Sequence, residues 1–392
     1  MIGICRKQFL VIFDTCTEPD YYLDLHKLIA QPNESLINYE YKAKYLSSDL
    51  LKELEELSFL RMPKNVLLVY GQPEKMQKGK EVDKNTTAEK MIWIPTRYAR
   101  LQGKLQRIGD WFDFDLKLKG FPDVEKDEIL KSIINELAEK GAVPYKKWVT
   151  ISSNKEAFMQ LKANDDQSSW YKLVQKLETS HTQFEGDVFW RVIGLSSAKT
   201  GKRILPRIMR FSYSGNNSER VINRSSFFPI NEGKTYVLSI IGYHKPKEDK
   251  KYRVSLRAEV KQESIISIQN GGGVIPLRHY TNQPVLLSTS ISEGIIPHLA
   301  EISLSTNDVE ELIQKGQKIF PIGPAIQLLF EVHKKRVWEV FYFISGVIGA
   351  TIITLARDLW AFDNAFAVKL IMLAFVQLVL SSLFFTGKLK IK

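Results

Sequence analysis

The segment Tyr252-Arg253-Val254-Ser255-Leu256-Arg257-Ala258-Glu259-Val260 alternates apolar and polar residues without a break. Successive side chains of a strand point to opposite faces, so this order puts Tyr252, Val254, Leu256, Ala258 and Val260 on one face and leaves Arg253, Ser255, Arg257 and Glu259 to water. The same order wound into a helix would spread the apolar residues around the axis. Six neighbouring stretches, 188–193, 207–213, 236–243, 285–291, 299–304 and 326–332, are of strand length and are separated by turn residues. Seven such strands between Asp187 and His333 predict a β-sandwich. One short helix is expected to interrupt them, with Asn307 and Glu310 at its start and Gly316 as its stop.

Toward the N-terminus, strands and helices mix. Residues 9–13 and 65–70 read as buried strands, 47–58 as a helix with leucines on one face, and Tyr39, Tyr41, Ala43 and Tyr45 as one face of a strand. A hairpin is expected at Gly109-Asp110, with Leu105 facing Phe114, Leu101 facing Leu118 and Lys104 facing Asp115. Residues 71–90, polar and lysine-rich, read as a surface loop. Ile129, Ile133 and Leu137 recur every four residues and mark a helix that Gly141 and Pro144 end. Trp170, Leu173, Val174 and Leu177 mark another.

Toward the C-terminus the pattern changes again. Val337 to Ala356 is an apolar run of 20 residues whose only charge is Glu339, and residues 366–386 form a second run broken only by Lys369 and Gln377. At about 1.5 Å per residue, each is long enough to cross roughly 30 Å of hydrocarbon. Lys334, Lys335 and Arg336 precede the first run and Lys388, Lys390 and Lys392 follow the second, a distribution that predicts both ends on the cytoplasmic side. Ser345, Gly346, Gly349 and Ala350 place small residues four apart, which permits close helix approach within the hairpin or between copies. Gln377 would then need a hydrogen-bond partner inside the helix assembly. The last strand ends only four residues before Val337, so movement of the sheet is expected to reach the first helix.

The expectation is therefore an α+β cytoplasmic region with a C-terminal β-sandwich-like domain, followed by a two-helix transmembrane hairpin. Its parts are an N-terminal α+β domain at 1–120, a connecting segment at 121–185, the sandwich at 186–333 and the hairpin at 334–392, with helices at 337–356 and 366–386. The expected location is the inner (plasma) membrane, multi-pass, with both termini cytoplasmic.

Net charge is +11 over 392 residues. From Lys334 onward there are eight Lys/Arg and three acidic residues, a net of +5, which leaves +6 for residues 1–333. That remainder is a weak nucleic-acid signal. Arg97, Arg100, Lys104, Lys199, Lys202, Arg203, Arg207 and Arg210 are the candidates for an anionic-partner surface.

Catalytic chemistry finds little footing. The six histidines are scattered with no helical metal pair, and Cys5 and Cys16 lie in no CxxC motif, so no cofactor or metal is expected. Asp14, Asp20, Asp24 and His26 cluster only in sequence, and Asp113 with Asp115 reads as surface charge pairing. Ala198-Lys199-Thr200-Gly201-Lys202-Arg203 lacks the first glycine of a phosphate loop, and Asn270 to Gly273 reads as a turn.

In overall plan, a cytosolic sensing region joined to a two-helix membrane module resembles the membrane effectors of bacterial antiphage systems. The resemblance implies a non-enzymatic effector that binds a cytoplasmic protein partner or ligand, forms homo-oligomers and disrupts the lipid bilayer. The alternative is a non-toxic membrane-tethered adaptor that holds a protein or nucleic-acid complex at the bilayer.

Overall fold

The computed structural model describes residues 9–15, 19–42, 65–73, 91–139, 149–151, 167–181, 184, 187–214, 220–245, 253–261, 263–269, 274–277, 281–290, 298–309, 326–333, 347–357, 360 and 364–385. Three β-sheets dominate them.

The first sheet holds β1 (Phe9–Thr15), β2 (Leu36–Lys42), β3 (Asn65–Pro73), β4 (Met91–Ile108), β5 (Trp111–Leu118) and β6 (Val149–Ile151), in the order β2-β5-β4-β3-β1-β6. β1 and β3 run parallel and the other pairs antiparallel. Val66 to Tyr70 are all buried, because both faces of β3 are covered. Leu67 and Val69 meet Leu130, Ile133 and Ile134 of helix α2 (Asp127–Glu139) on one face. Tyr70 turns the other way, toward α1 (Pro19–Ala30) and α3 (Gln167–Ser180). Helix α3 buries Trp170, Leu173, Val174 and Leu177, a single stripe at helical spacing whose members contribute about 1.5–3 kcal/mol each.

Two further sheets lie face to face. One has six strands in the order β14-β12-β16-β17-β10-β9, the other five in the order β13-β15-β11-β7-β8. The members of the six-stranded sheet are β9 (Arg207–Ser214), β10 (Arg220–Asn231), β12 (Arg253–Val260), β14 (Val274–Leu277), β16 (His298–Val309) and β17 (Ile326–His333). Those of the five-stranded sheet are β7 (Val188–Ser197), β8 (Arg203–Ile204), β11 (Thr235–His244), β13 (Ile266–Ile268) and β15 (Thr281–Thr289). Their common core takes Trp190, Leu238 and Leu287 from one sheet and Phe228, Leu256, Ile302 and Phe330 from the other.

Within β12, Leu256 and Ala258 are buried while Arg257 and Glu259 are exposed. β7 behaves differently. Val188, Trp190 and Val192 face the partner sheet, whereas Phe189 faces the N-terminal helices, so the five-stranded sheet is covered on both sides. Ile241 and Tyr243 of β11 join Phe189 there. The β-sheet thus forms a shared wall between the N-terminal region and the sandwich.

Several expectations are corrected. The described residues are mostly β, in three sheets, rather than an α+β region followed by a membrane hairpin. Among the described residues no helix is long and apolar enough to cross a membrane. That finding overturns the transmembrane hairpin and the multi-pass inner-membrane location with both termini inside. Within the first apolar run, residues 347–357 are described and helical (α4). Helix α5 is Asn364–Phe385, and its side chains are described from 364 to 376. Residues 334–346, the Gln377 side chain and residues 386–392 lie outside the described residues, and with them Lys334, Lys335, Arg336, Ser345, Gly346, Lys388, Lys390 and Lys392.

Asn307 does not open a helix, because it pairs with Ser255 inside β16, where ladder hydrogen bonds compete successfully with the cap. The turn at Gly109-Asp110 is present, with Gly109 at φ +59°, but the pairing differs from expectation. Leu101 faces Leu116, not Leu118, because β4 carries extra residues between Gln102 and Gln106. Residues 43–45 and 47–58 lie outside the described residues. The expected loop at 71–90 begins later, since Gly71 to Pro73 extend β3 and the following residues up to Lys90 are outside the description.

Candidate functional site

Where the N-terminal region meets the five-stranded sheet, buried polar side chains gather that no local pattern announces. Asn33 sits in the turn after α1, Arg97 on β4, Phe121 after β5 and Arg191 on β7. Asn33 Oδ1 accepts hydrogen bonds from Arg97 Nη2 at 2.9 Å and Arg191 Nη2 at 2.8 Å. Both guanidinium carbons lie over the Phe121 ring, 4.6 and 4.5 Å from its centroid. Arg97 also donates to the carbonyls of Lys119 at 3.0 Å, Gln31 at 2.8 Å and Leu28. Burial of a cation is tolerated only when its donors are met, and here backbone carbonyls and an aromatic face meet them. The cluster ties three segments of the N-terminal region to the sandwich.

A second buried group lies nearby. His26 Nε2 is 3.3 Å from Asp187 Oδ2, and the imidazole stacks on Phe189 at 4.9 Å with Phe184 edge-on at 5.6 Å. His181 packs beside Tyr70 and Phe184. Burial pushes the Asp187 carboxyl up to about 8 and the His181 imidazole down to about 4. A histidine, a carboxyl and a tyrosine in contact are the parts of an acid/base site. Here they are enclosed: His26 and His181 are fully buried and Asp187 is 2% exposed, so a substrate cannot touch them in this arrangement.

These shifts have opposite signs in stability. Asp187, whose folded value is raised, contributes most below its unfolded value near 4, and the contribution is lost as pH rises toward about 8. His181, whose folded value is depressed, contributes above about 6.5, and its contribution is lost as pH falls toward about 4. Between about pH 6.5 and 8, Asp187 alone of the two should cost the protein up to about 1.4 kcal/mol per pH unit. Denaturant titrations across that window should therefore show a falling midpoint in the parent and a flatter one in Asp187→Asn. Equal slopes would remove Asp187 as the cause.

A surface cleft of about 430 Å³ opens between α3, the Val124-Glu125 segment and the end of β11. Its charges cancel locally: Lys172 Nζ is 2.8 Å from Glu125, Lys176 pairs with Asp127, and Tyr243 Oη donates to Glu178 at 2.6 Å. Among the described residues no group of three acidic, histidine or cysteine side chains could hold a metal ion.

The candidates read from sequence are dispersed. Arg97 is not a surface residue at all: it is 0% exposed and structural. Arg100, Lys199, Lys202, Arg203 and Arg207 are exposed, while the side chains of Lys104 and Arg210 lie outside the description. Ala198 to Arg203 form the tight β7–β8 hairpin, with Gly201 at φ +65° and its N–H bonded to Ser197 O, which is no phosphate cradle. Asp24 is exposed and pairs with Lys27, on the side of α1 opposite to buried His26. Gly349 is buried and Ala350 exposed on α4. The joint residues Asn33, Phe121, Asp187 and Arg191 were missed. Arg191 alone carried a signal, as the single charge inside the apolar run Val188 to Ile193.

No protein-family model matches the chain, and no curated protein sequence does. Among solved structures, a cohesin module from the family 33 glycoside hydrolase of Clostridium perfringens matches 34% of this chain and 99% of its own length, at 7% identity and a TM-score of 0.17. A likeness of that size carries no argument about fold or activity.

Proposed function

We propose that this chain is a non-enzymatic sensor or effector whose β-rich body binds a protein partner or ligand and whose C-terminal helices associate with those of other copies. The supporting observation is the distribution of bulk on α5. Ala367 and Ala374 are fully buried, whereas Phe366, Met372, Leu373, Phe375 and Val376 are 51–66% exposed. Helix α4 repeats the arrangement: Ala356 is buried, and Val347, Ile348 and Leu355 are exposed. Large apolar side chains exposed along the face opposite the buried alanines need a cover of comparable apolar character. Identical helices on further copies supply one without a second gene product. A binding role over a catalytic one is supported by the enclosure of the His26–Asp187 pair and the neutralised charges of the cleft. The likeness to antiphage effectors drew on a membrane module and lends no support here.

The test is photocrosslinking in intact cells, with a photoreactive amino acid replacing Met372 in the full chain. The expected product is a crosslinked homo-oligomer, absent when the same probe replaces exposed Lys199 on the sandwich. Capture of other molecules in place of a second copy would refute self-association through α5.

A further inference from the structure

At one lateral border of the sandwich, β8 ends its sheet and β9 ends the other, joined only by Leu205 and Pro206. β9 is eight residues long and pairs with β10 on one side. On its other side no strand lies beside it among the described residues, so a row of backbone donors and acceptors faces outward.

Charge is concentrated at the same border. Between Asp187 and Glu219 the chain carries no carboxylate side chain, yet it carries Arg191, Lys199, Lys202, Arg203, Arg207 and Arg210. Arg191 is buried in the joint, and the other five belong to the β7–β8 turn, β8 and β9. Lys199, Lys202 and Arg207 make no ion pair with a carboxylate among the described residues.

We propose that this border binds an extended acidic segment of a partner protein, which adds to β9 as a further strand while its carboxylates meet Lys199, Lys202 and Arg207. The inference rests on the proposed partner-binding role of the β-rich body and names where and what it binds. A peptide fits better than a nucleic acid because it uses both features at once: its backbone completes the free edge and its side chains neutralise the cations. A nucleic acid would answer only the charge. The other bland reading, that the arginines merely keep the edge from pairing, predicts no binding.

The full chain would be titrated at physiological salt with three fluorescein-labelled probes: a peptide of alternating glutamate and valine, the same peptide N-methylated at alternate residues, and single-stranded oligothymidine. The unmodified acidic peptide should bind at least about tenfold more tightly than the methylated one, which keeps the charge but loses backbone donors. Lys199→Glu/Lys202→Glu/Arg207→Glu, all three at exposed positions, should weaken it by about tenfold or more. Equal affinity for the two peptides, tighter binding of oligothymidine, or no peptide binding would each overturn the proposal. Crosslinking through Met372 is indifferent to these outcomes, so the edge can fail while self-association stands, and the reverse.

Discussion

Replacing Arg97 with alanine is expected to lower the stability of the protein by about 3–5 kcal/mol, enough to leave many domains unfolded at physiological temperature. Arg97, itself fully buried, donates to four acceptors: the carbonyl of Leu28 and the Asn33 side chain, both buried, and the carbonyls of Gln31 and Lys119, both half-buried. Truncation takes the Arg97 donor from the buried Leu28 carbonyl and one of the two arginine donors from Asn33, and each unmet buried group costs about 1–3 kcal/mol. It also removes one of the two cations over Phe121. Lysine should rescue little, since one ammonium cannot reproduce the planar fork that spans acceptors on two segments. Chemical denaturation followed by tryptophan fluorescence measures the loss. A change under about 1 kcal/mol would mean the cluster does not hold the two regions together.

Trp170→Ala should cost a similar amount, about 3–5 kcal/mol, by a different route. The indole is fully buried in the core shared by α1, α3 and the two sheets, and its Nε1–H donates to Ile29 O at 3.1 Å. Removing it opens a cavity and leaves the last turn of α1 with an unmet carbonyl. Trp170→Phe restores most of the volume without the donor, so it should recover about half of the loss or more. Helix α3 touches the cleft through Lys172 and Lys176 on its outer side, and those pairs are exposed enough that their loss should change stability by under about 1 kcal/mol. The contrast between the faces of one helix is measurable in the same titration. Were Lys176→Ala as damaging as Trp170→Ala, the buried stripe would not be what anchors α3.

How much was legible can be argued from particular residues. The alternation from Tyr252 to Val260 identifies a strand because its outer face stays in water, and period is visible wherever one face is solvated. Val188 to Val192 has no such period, since both of its faces are covered, and so Arg191 reads as a stray charge rather than as part of a joint. The Gly109-Asp110 turn is local and was readable. The pairing beyond it was not, because the extra residues between Gln102 and Gln106 are accommodated by neighbouring strands and leave no mark in hydrophobic pattern. The apolar runs near the C-terminus suggested membrane spans by length. Among the described residues no helix is long and apolar enough together to cross a membrane, and apolar content alone does not fix what covers a helix.

The amino-acid sequence by itself determined the alternation that marks β12, the apolar stripe that marks α3, the exclusion of a helical histidine pair or CxxC metal motif, and the gathering of cations between Asp187 and Glu219. These are properties of neighbours along the chain, set by side-chain period and local composition. The tertiary structure decided that Arg97 is a structural cation and not a surface charge, that His26 meets Asp187 across 161 positions, and that β8 and β9 share one open border. Each depends on segments distant in sequence packing against one another, where burial changes the energy of a charge far more than the identity of its neighbours does.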